Sequence, residues 1–411
     1  MDSIKIKSVS LRSFKCFEDA TIDCQDENSR IAQWTVLLGN NNTGKTNLLK
    51  AIADLRPKTI VLKNDSDDSA SDSPEEPTSV PAAFLNRNSI KLSDNPTENQ
   101  SSVTGNLLGY DDHWHYNDRL WSTGKFQPDK PFLIFAYGVT RYPSSTSLSE
   151  SKSDGCASLF HPDSRLINIE EWLMQLDYAA KNGKVEATRL LGKIRELVCG
   201  KIFPEISDFR FESSDEFHNY VLFKTDDGWY RYTQLGFGYQ STLSWIIDLC
   251  KRMFDNYPMS DNPLHESAVV LIDEIDLHLH PKWQRDIIPY LSKAFPNIQF
   301  IVTTHSPLVV QSLDDVNLYV LTRTEGKVVI EKSPVSNFIG WSVEEILRHT
   351  MKMNNDVYSD IYQEYFDLFD RGLDENDRQA VEKAYNALSK ILHPYNPARR
   401  LLDLQISAFR K

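Results

Sequence analysis

Gly39-Asn40-Asn41-Asn42-Thr43-Gly44-Lys45-Thr46 fits the pattern GxxxxGK[ST] without a gap. It lies between a short apolar run, Trp34–Leu38, and a stretch from Thr46 to Leu55 in which Leu48, Leu49, Ile52 and Leu55 recur at helical spacing. Strand, glycine-bearing turn and amphipathic helix in that order are what a phosphate cradle requires. Glycines permit the backbone angles that turn successive N–H groups inward, and the following helix presents its positive end to the anion. In such a cradle Lys45 places a charge on the β- and γ-phosphates, the Thr46 hydroxyl takes one magnesium position, and Asn47 follows at the start of the helix. A chance Gly/Asn turn is the competing reading, and it leaves the flanking strand and helix unexplained. ATP with Mg2+ is the expected ligand.

Farther along, Val269-Val270-Leu271-Ile272 is an apolar run ending in two carboxylates, Asp273 and Glu274. A strand covered on both faces reads as continuous apolar sequence, and this one would bring Asp273 to the sheet edge beside the phosphate loop. There Asp273 holds magnesium through water, and Glu274 orients or deprotonates the attacking water. Alone, such a pair is as well explained as a helix cap; with a complete phosphate loop upstream the catalytic reading is stronger. A second apolar run, Ile298–Thr303, leads into Thr303-Thr304-His305-Ser306-Pro307, where His305 is expected to meet the γ-phosphate. His278 and His280 lack further ligands at suitable spacing, so a metal site there is the weaker reading.

Hydrophobic residues make up 40% of the 411, enough for a sizeable core, and the formal charge is −13. That balance argues against a general nucleic-acid coat protein but leaves room for a local basic track, with Arg141, Arg165 and Lys282 as exposed candidates. The five cysteines are scattered without a CxxC pair, which favours reduced thiols over a disulfide or zinc framework. The opening MDSIKIKSVS lacks the apolar core of a signal peptide. No run approaches the roughly 20 apolar residues that span a bilayer, so a cytoplasmic protein with no membrane partner is expected.

The remaining pattern sketches an architecture. Residues 4–14 alternate as a half-buried antiparallel strand, and Pro131–Tyr137 reads as a buried strand. About 64–102 is rich in Ser, Asp, Pro and Glu and reads as an insertion loop. Residues 165–200 read as a helical hairpin broken at Asn182-Gly183, too short for a long coiled-coil arm. Phe209–Tyr232 suits a β-hairpin turning at Asp226-Asp227-Gly228, and Leu318–Lys332 another turning at Glu325-Gly326. Helices follow from Ser342, with breaks expected at Gly372 and His393-Pro394. The expected class is α/β: a head over residues 1–335 with a mainly parallel sheet, and a helical region over 336–411.

The order of these motifs resembles the ABC-type ATPases of the SMC, RecF and OLD-like group. Asp273-Glu274-Ile275-Asp276-Leu277-His278-Leu279-His280-Pro281 is similar to that group's magnesium-binding strand and D-loop, with Asp276 as the D-loop aspartate, and Thr304-His305-Ser306 is similar to its switch histidine. The opening Leu11-Arg12-Ser13-Phe14-Lys15 resembles the strand and loop from which a basic residue, Arg12 or Lys15, approaches the nucleotide. Gln234-Leu235-Gly236-Phe237-Gly238-Tyr239-Gln240-Ser241 resembles the signature loop LSxGxQ, with Gly236 where serine is usual; a plain glycine-bearing turn is the alternative. Gln175 is a possible Q-loop glutamine. The resemblance implies sites completed across a homodimer or higher homo-oligomer, the signature loop of one subunit closing on the nucleotide of the other.

Within that group, residues 135–141, 171–179 and 236–249 resemble the compact anti-phage ATPases of the Septu (PtuA-type) and retron-associated systems. That resemblance implies a nucleotide-switched sensor controlling a separate nuclease effector, typically of the HNH type, with DNA or a phage component as a further partner. A DNA-repair ATPase that binds DNA directly is the alternative, and a binding module that never turns its nucleotide over is a third. Glu274 speaks against the third.

Overall fold

The computed structural model describes residues 5–55, 57–59, 79–81, 102–108, 114–117, 132–144, 154–199, 203, 205–216, 218–324, 326–353 and 358–409. The insertion expected over 64–102 lies outside the described residues except for 79–81 and 102, and Glu325 of the last expected hairpin turn lies outside them as well. Two compact units emerge, Met1–Trp341 and Ser342–Lys411.

In the first unit, β1 (Lys5–Phe14) pairs antiparallel with β2 (Phe17–Asp23). A β-bulge between Ile6 and Ser8 shifts the alternation, so Ile6, Val9 and Leu11 are buried, with Phe14 buried at the strand's end. Next come β3 (Trp34–Gly39) and α1 (Lys45–Ala53). A small antiparallel pair follows, β4 (Pro57–Thr59) with β5 (Ser79–Pro81). β6 (Ser102–Leu108) and β7 (Trp114–Asn117) then complete an antiparallel sheet of order β2-β1-β6-β7. β8 (Ile134–Tyr137) and the single turn α2 (Ala157–Phe160) precede the helical hairpin of α3 (Ile169–Lys181) and α4 (Val185–Val198). That hairpin turns at Gly183, where φ is +77°. Phe209–Tyr232 gains a strand over the expected hairpin: β9 (Asp208–Ser213), β10 (Asn219–Thr225) and β11 (Gly228–Arg231) form an antiparallel sheet.

The long helix α5 (Phe237–Asn256) leads to β12 (Val269–Ile272), α6 (Pro281–Ala294), β13 (Gln299–Thr304), α7 (Pro307–Gln311), β14 (Asn317–Thr324) and β15 (Lys327–Lys332). The central sheet has the order β15-β14-β3-β13-β12-β8, parallel throughout except for β15 at one edge. Every residue of β3, β12 and β13 is buried, as strands covered on both faces require. The class is α/β, a mainly parallel sheet with an antiparallel β subdomain and a helical insertion.

Leu48, Leu49 and Ile52 of α1 are fully buried, in one core with Leu37 of β3, Ile301 of β13 and the inner residues of β1 and β2. Side-chain hydrogen bonds tie the two sheets together. Buried Gln299 accepts from Ile6 N at 2.8 Å and donates to Ile6 O at 2.8 Å, so its amide mimics a strand partner. Tyr319 adds a second tie, its hydroxyl donating to Asp23 O at 2.8 Å and accepting from Asp23 N at 2.9 Å.

The second unit holds the short turn α8 (Val343–Glu345), a π-helical turn over Ile346–Thr350, α9 (Asp360–Asp374), α10 (Arg378–Ile391) and α11 (Pro397–Phe409). Phe369, Val381, Ala384, Leu388, Leu402 and Ile406 form its core. The break expected at Gly372 falls later, between Asp374 and Arg378. Gly372 is buried inside α9, where an added Cβ would lie 2.8 Å from Val381 Cγ2, so the glycine serves close helix packing and not termination. Among the described residues no helix is long and apolar enough to cross a membrane.

Candidate active site

β12, β13 and β3 run parallel as neighbours, so the segments leaving their C-terminal ends meet along one sheet edge. The first is the phosphate loop. Gly44 adopts φ +83°, and a Cβ there would fall 2.6 Å from Cys16 Sγ and 2.9 Å from Phe17 Cζ. Gly39 is hemmed in by Leu321 O at 2.6 Å from the same imagined atom. The loop is tied internally. Thr43 Oγ1 donates to Asn40 O at 2.8 Å, and Lys45 Nζ donates to Gly39 O at 2.8 Å and Asn40 O at 2.9 Å. Burial brings the Lys45 ammonium down to a pKa of about 8, against the opposing pull of Asp273, Glu274 and Asp276. Gly44→Ala is expected to lower unfolding stability by about 1–3 kcal/mol, the cost of a left-handed non-glycine residue, before any clash with Cys16 is counted. Equilibrium denaturation checks this; an unchanged midpoint contradicts it.

The second segment carries the carboxylates. Asp273 Oδ2 accepts from Thr46 Oγ1 at 2.7 Å, which links the strand end to the first residues of α1. Its Oδ1 accepts from Thr303 Oγ1 at 2.6 Å, and that hydroxyl also accepts from Glu274 N at 2.7 Å. Glu274 has φ +49°. Neighbours in an extended strand project to opposite faces; the left-handed turn at Glu274 breaks that alternation, and both Asp273 and Glu274 line the same cleft. Such a conformation costs about 1–3 kcal/mol and persists only where the surroundings hold it. Here Arg141 holds it. This side chain, 2% exposed, donates from Nη2 to Asp273 O and, at 2.7 Å, to Glu274 O, and from Nε to Gly138 O at 2.8 Å. The expectation that Arg141 is an exposed basic residue is therefore wrong: it is buried against the backbone of Asp273 and Glu274. Arg165 and Lys282 are exposed.

The third segment follows β13. His305 Nε2 lies 3.9 Å from Glu274 Oε1. Burial lowers its pKa first and Lys45 adds to the effect, while the three carboxylates pull the other way, so the site favours the neutral ring. Its neighbours fix the segment from Asp276 to Leu279: Thr304 Oγ1 donates to Asp276 Oδ1 at 2.6 Å, Ser306 Oγ to Gln284 Oε1 at 2.7 Å, and Gln284 Nε2 to Leu279 O at 3.0 Å. Residues Asn41–Asn47, Asp273, Glu274 and His305 thus line one open cleft of about 290 Å³, together with Cys16 and Arg323. A cleft of similar volume, lined by Lys193, Leu264 and Tyr290 among others, has neither paired carboxylates nor a phosphate loop.

Leu235–Gln240 does not line this cleft. It forms the entry to α5 beside the D-loop: an added Cβ on Gly238 would lie 2.3 Å from His278 O, and the Phe237 and His278 rings meet edge to face at 4.6 Å. Gln240 Nε2 donates back to Leu235 O at 2.7 Å and so stiffens the turn. Residues 235–240 and 276–280 form one packed surface of a single chain.

Residues 161–311 match the family profile described as AAA domain, putative AbiEii toxin, Type IV TA system, and residues 4–112 match the AAA ATPase domain. Over 402 residues the chain is 27% identical to Septu protein PtuA of Bacillus mycoides (strain KBAB4), covering 94% of this chain and 50% of that one. Over 135 residues it is 42% identical to the Retron Ec83 probable ATPase of Escherichia coli, covering 33% of this chain and 25% of that one. The chain is a homologue of the Septu and retron ATPases. It spans about half the length of the Bacillus mycoides relative. Among solved structures, the Pyrococcus furiosus Smc head domain bound to the C-terminal domain of ScpA is similar at 13% identity and a TM-score of 0.45, covering 86% of this chain and 100% of that one.

In this Septu and retron homologue the sequence-derived residues divide. The loop Gly39–Thr46, Asn47, Asp273, Glu274 and His305 come together. Lys15, at φ +52°, is not among the lining residues and touches the cleft only through Asn47, donating from Nζ to its Oδ1 at 3.0 Å. Arg12 does not reach the cleft: its guanidinium is exposed, 4.0 Å from Asp19 on the neighbouring strand. Gln175 is exposed on α3, donating to Glu171 Oε1 at 3.2 Å, and has no part in the cleft. The structure adds Arg323, which sequence reasoning missed. The register Leu321↔Gly39 carries β14 past the phosphate loop, so a basic residue two positions beyond Leu321 is the signal that pairing reveals.

Proposed function

We propose that this chain is a Mg2+-dependent ATPase that closes as a dimer around ATP and acts as a nucleotide-switched regulator of a separate HNH-type nuclease in bacterial anti-phage defence. The observation that carries the reading is the convergence of the phosphate loop, the Thr46–Asp273 pair, Glu274 and His305 in one cleft. Thr46 Oγ1 and Asp273 Oδ2 are hard oxygen donors 2.7 Å apart and fit Mg2+; bound there, the ion supplies positive charge against the β- and γ-phosphates. Lys45 neutralises the same phosphates, Glu274 takes a proton from water, and neutral His305 donates to the γ-phosphate. The separation of Leu235–Gln240 from the cleft of its own chain supports action on the nucleotide of a second copy.

The Lys45 shift gives a pH test. Below pH 8 the lysine is charged before ATP arrives. Above it, each binding event must take up a proton, so affinity falls as pH rises, by about tenfold from pH 7 to pH 9. Titration calorimetry in two buffers of different ionisation enthalpy reads that uptake, and a flat profile contradicts it. Phosphate release in Mg2+ tests the ATPase: saturable turnover supports the reading, and purified chain that neither retains nor cleaves ATP, with partners supplied, ends it. Copurification from the native operon tests the regulatory role, a nuclease in the complex supporting it and a lone ATPase opposing it.

A further inference from the structure

We infer that Arg141 is a positioning residue for hydrolysis: it clamps the backbone of Asp273 and Glu274 so that both carboxylates face the same cleft. The inference rests on the ATPase reading above. Two consecutive strand-end residues can share a face only if the chain turns between them, and Glu274 makes that turn with φ +49°, a conformation a non-glycine residue does not hold unaided. The fixing contacts are all to backbone. Arg141 donates to the carbonyls of Asp273 and Glu274, Leu277 N also donates to Glu274 O at 3.0 Å, and Thr303 Oγ1 accepts from Glu274 N at 2.7 Å. Among the described residues the ion-pair contact of the Glu274 carboxylate is with His305, at 3.9 Å. Its direction is therefore set by the main chain that Arg141 grips.

Arginine suits the task and lysine does not. One planar guanidinium spans two successive carbonyls and still reaches Gly138 O with Nε, whereas an ammonium on a flexible stem cannot hold three acceptors in that fixed fork. The anchor point is itself rigid. Tyr137, the last residue of β8, accepts from Asp273 N through its carbonyl at 2.8 Å, and its hydroxyl donates to buried Asp248 of α5 at 2.9 Å. Gly138 is pressed so closely on α2 that an added Cβ would lie 2.3 Å from Ser158 O. Arg141 thus reaches the Asp273–Glu274 turn from a fixed base and is not among the residues that line the cleft. Sequence alone gives no hint of this, because the contacts join residues more than a hundred positions apart.

The test compares wild type, Arg141→Lys and Arg141→Ala as full-length chains. Turnover per folded site, affinity for a fluorescent ATP analogue with Mg2+ and melting temperature are measured for each. Arg141→Lys is expected to lose about 100-fold in kcat, the scale of a misplacement near 1 Å, with nucleotide affinity within a few fold of wild type. Added methylguanidinium is expected to restore part of the turnover of Arg141→Ala, a rescue that general destabilisation would not permit. Arg141→Lys decides alone if the alanine variant does not fold. Wild-type kcat in the lysine variant overturns the inference, and so does a loss confined to affinity or to the folded fraction. A wild-type chain that turns over no ATP overturns the ATPase reading itself, and the inference with it.

Discussion

Glu274→Gln is expected to bind ATP at close to wild-type affinity while turnover falls by about 10²–10⁴-fold, the range lost with a general base. The amide keeps the shape of the side chain and cannot accept the proton of the attacking water. Because Glu274 is held through its backbone, by Arg141 and Thr303, the substitution leaves the turn in place. ATP should then trap the closed assembly, seen as a shift to larger species in gel filtration with ATP and not with ADP. Hydrolysis at the parent rate would remove Glu274 from the role of base. His305→Ala measured alongside separates the two residues, since a silent histidine variant would remove the γ-phosphate contact from the mechanism.

Lys45→Ala has the other large expected effect, on binding. It removes a charge-assisted contact worth about 1.5–3 kcal/mol, which corresponds to an affinity loss of about 10- to 100-fold. It also removes the group whose pKa is brought down to about 8, so the weakening of ATP binding above that pH should disappear in the variant. Competition binding across pH 7–9 reads both at once. Undiminished affinity, or an unchanged pH slope, would show that another group carries the phosphate charge.

What can be seen in the sequence, and what cannot, follows from the range of the interactions involved. The phosphate loop and the Asp273-Glu274 pair are legible because their chemistry requires contiguous residues: the glycine angles at Gly44 and the strand-end position of Asp273 are local properties. The parallel sheet is legible because β12 is apolar throughout and β3 and β13 carry apolar runs, Val36–Leu38 and Phe300–Val302, while the antiparallel β1 is marked by alternation, displaced at its bulge. Arg141 escapes a reading of the sequence because an arginine in a short polar stretch looks solvated unless the carbonyls it satisfies are known. Arg12 misleads for a related reason: its strand position turns it toward Asp19 and away from the nucleotide loop. Arg323 depends on which strands are neighbours, and that pairing is a property of the whole sheet. Gly372 shows the same limit, since helix termination and close packing both call for glycine and only the position of Val381 decides between them.

Mixing two chains impaired in different halves of the site, at ATP too dilute to fill the Lys45→Ala cleft, tests the shared site most directly. Lys45→Ala lacks the phosphate charge but keeps the signature segment. Gly236→Asp keeps the cleft and places a carboxylate where a second chain's γ-phosphate would approach; an added Cβ at Gly236 meets nothing closer than Tyr239 Cδ2 at 3.6 Å, so the chain itself accommodates the change. If two copies complete each other's sites, an equimolar mixture should recover about a quarter of wild-type ATP turnover, one sound site in each mixed dimer. Full activity of Gly236→Asp alone, or mixed dimers that form and stay inert, would contradict the shared site.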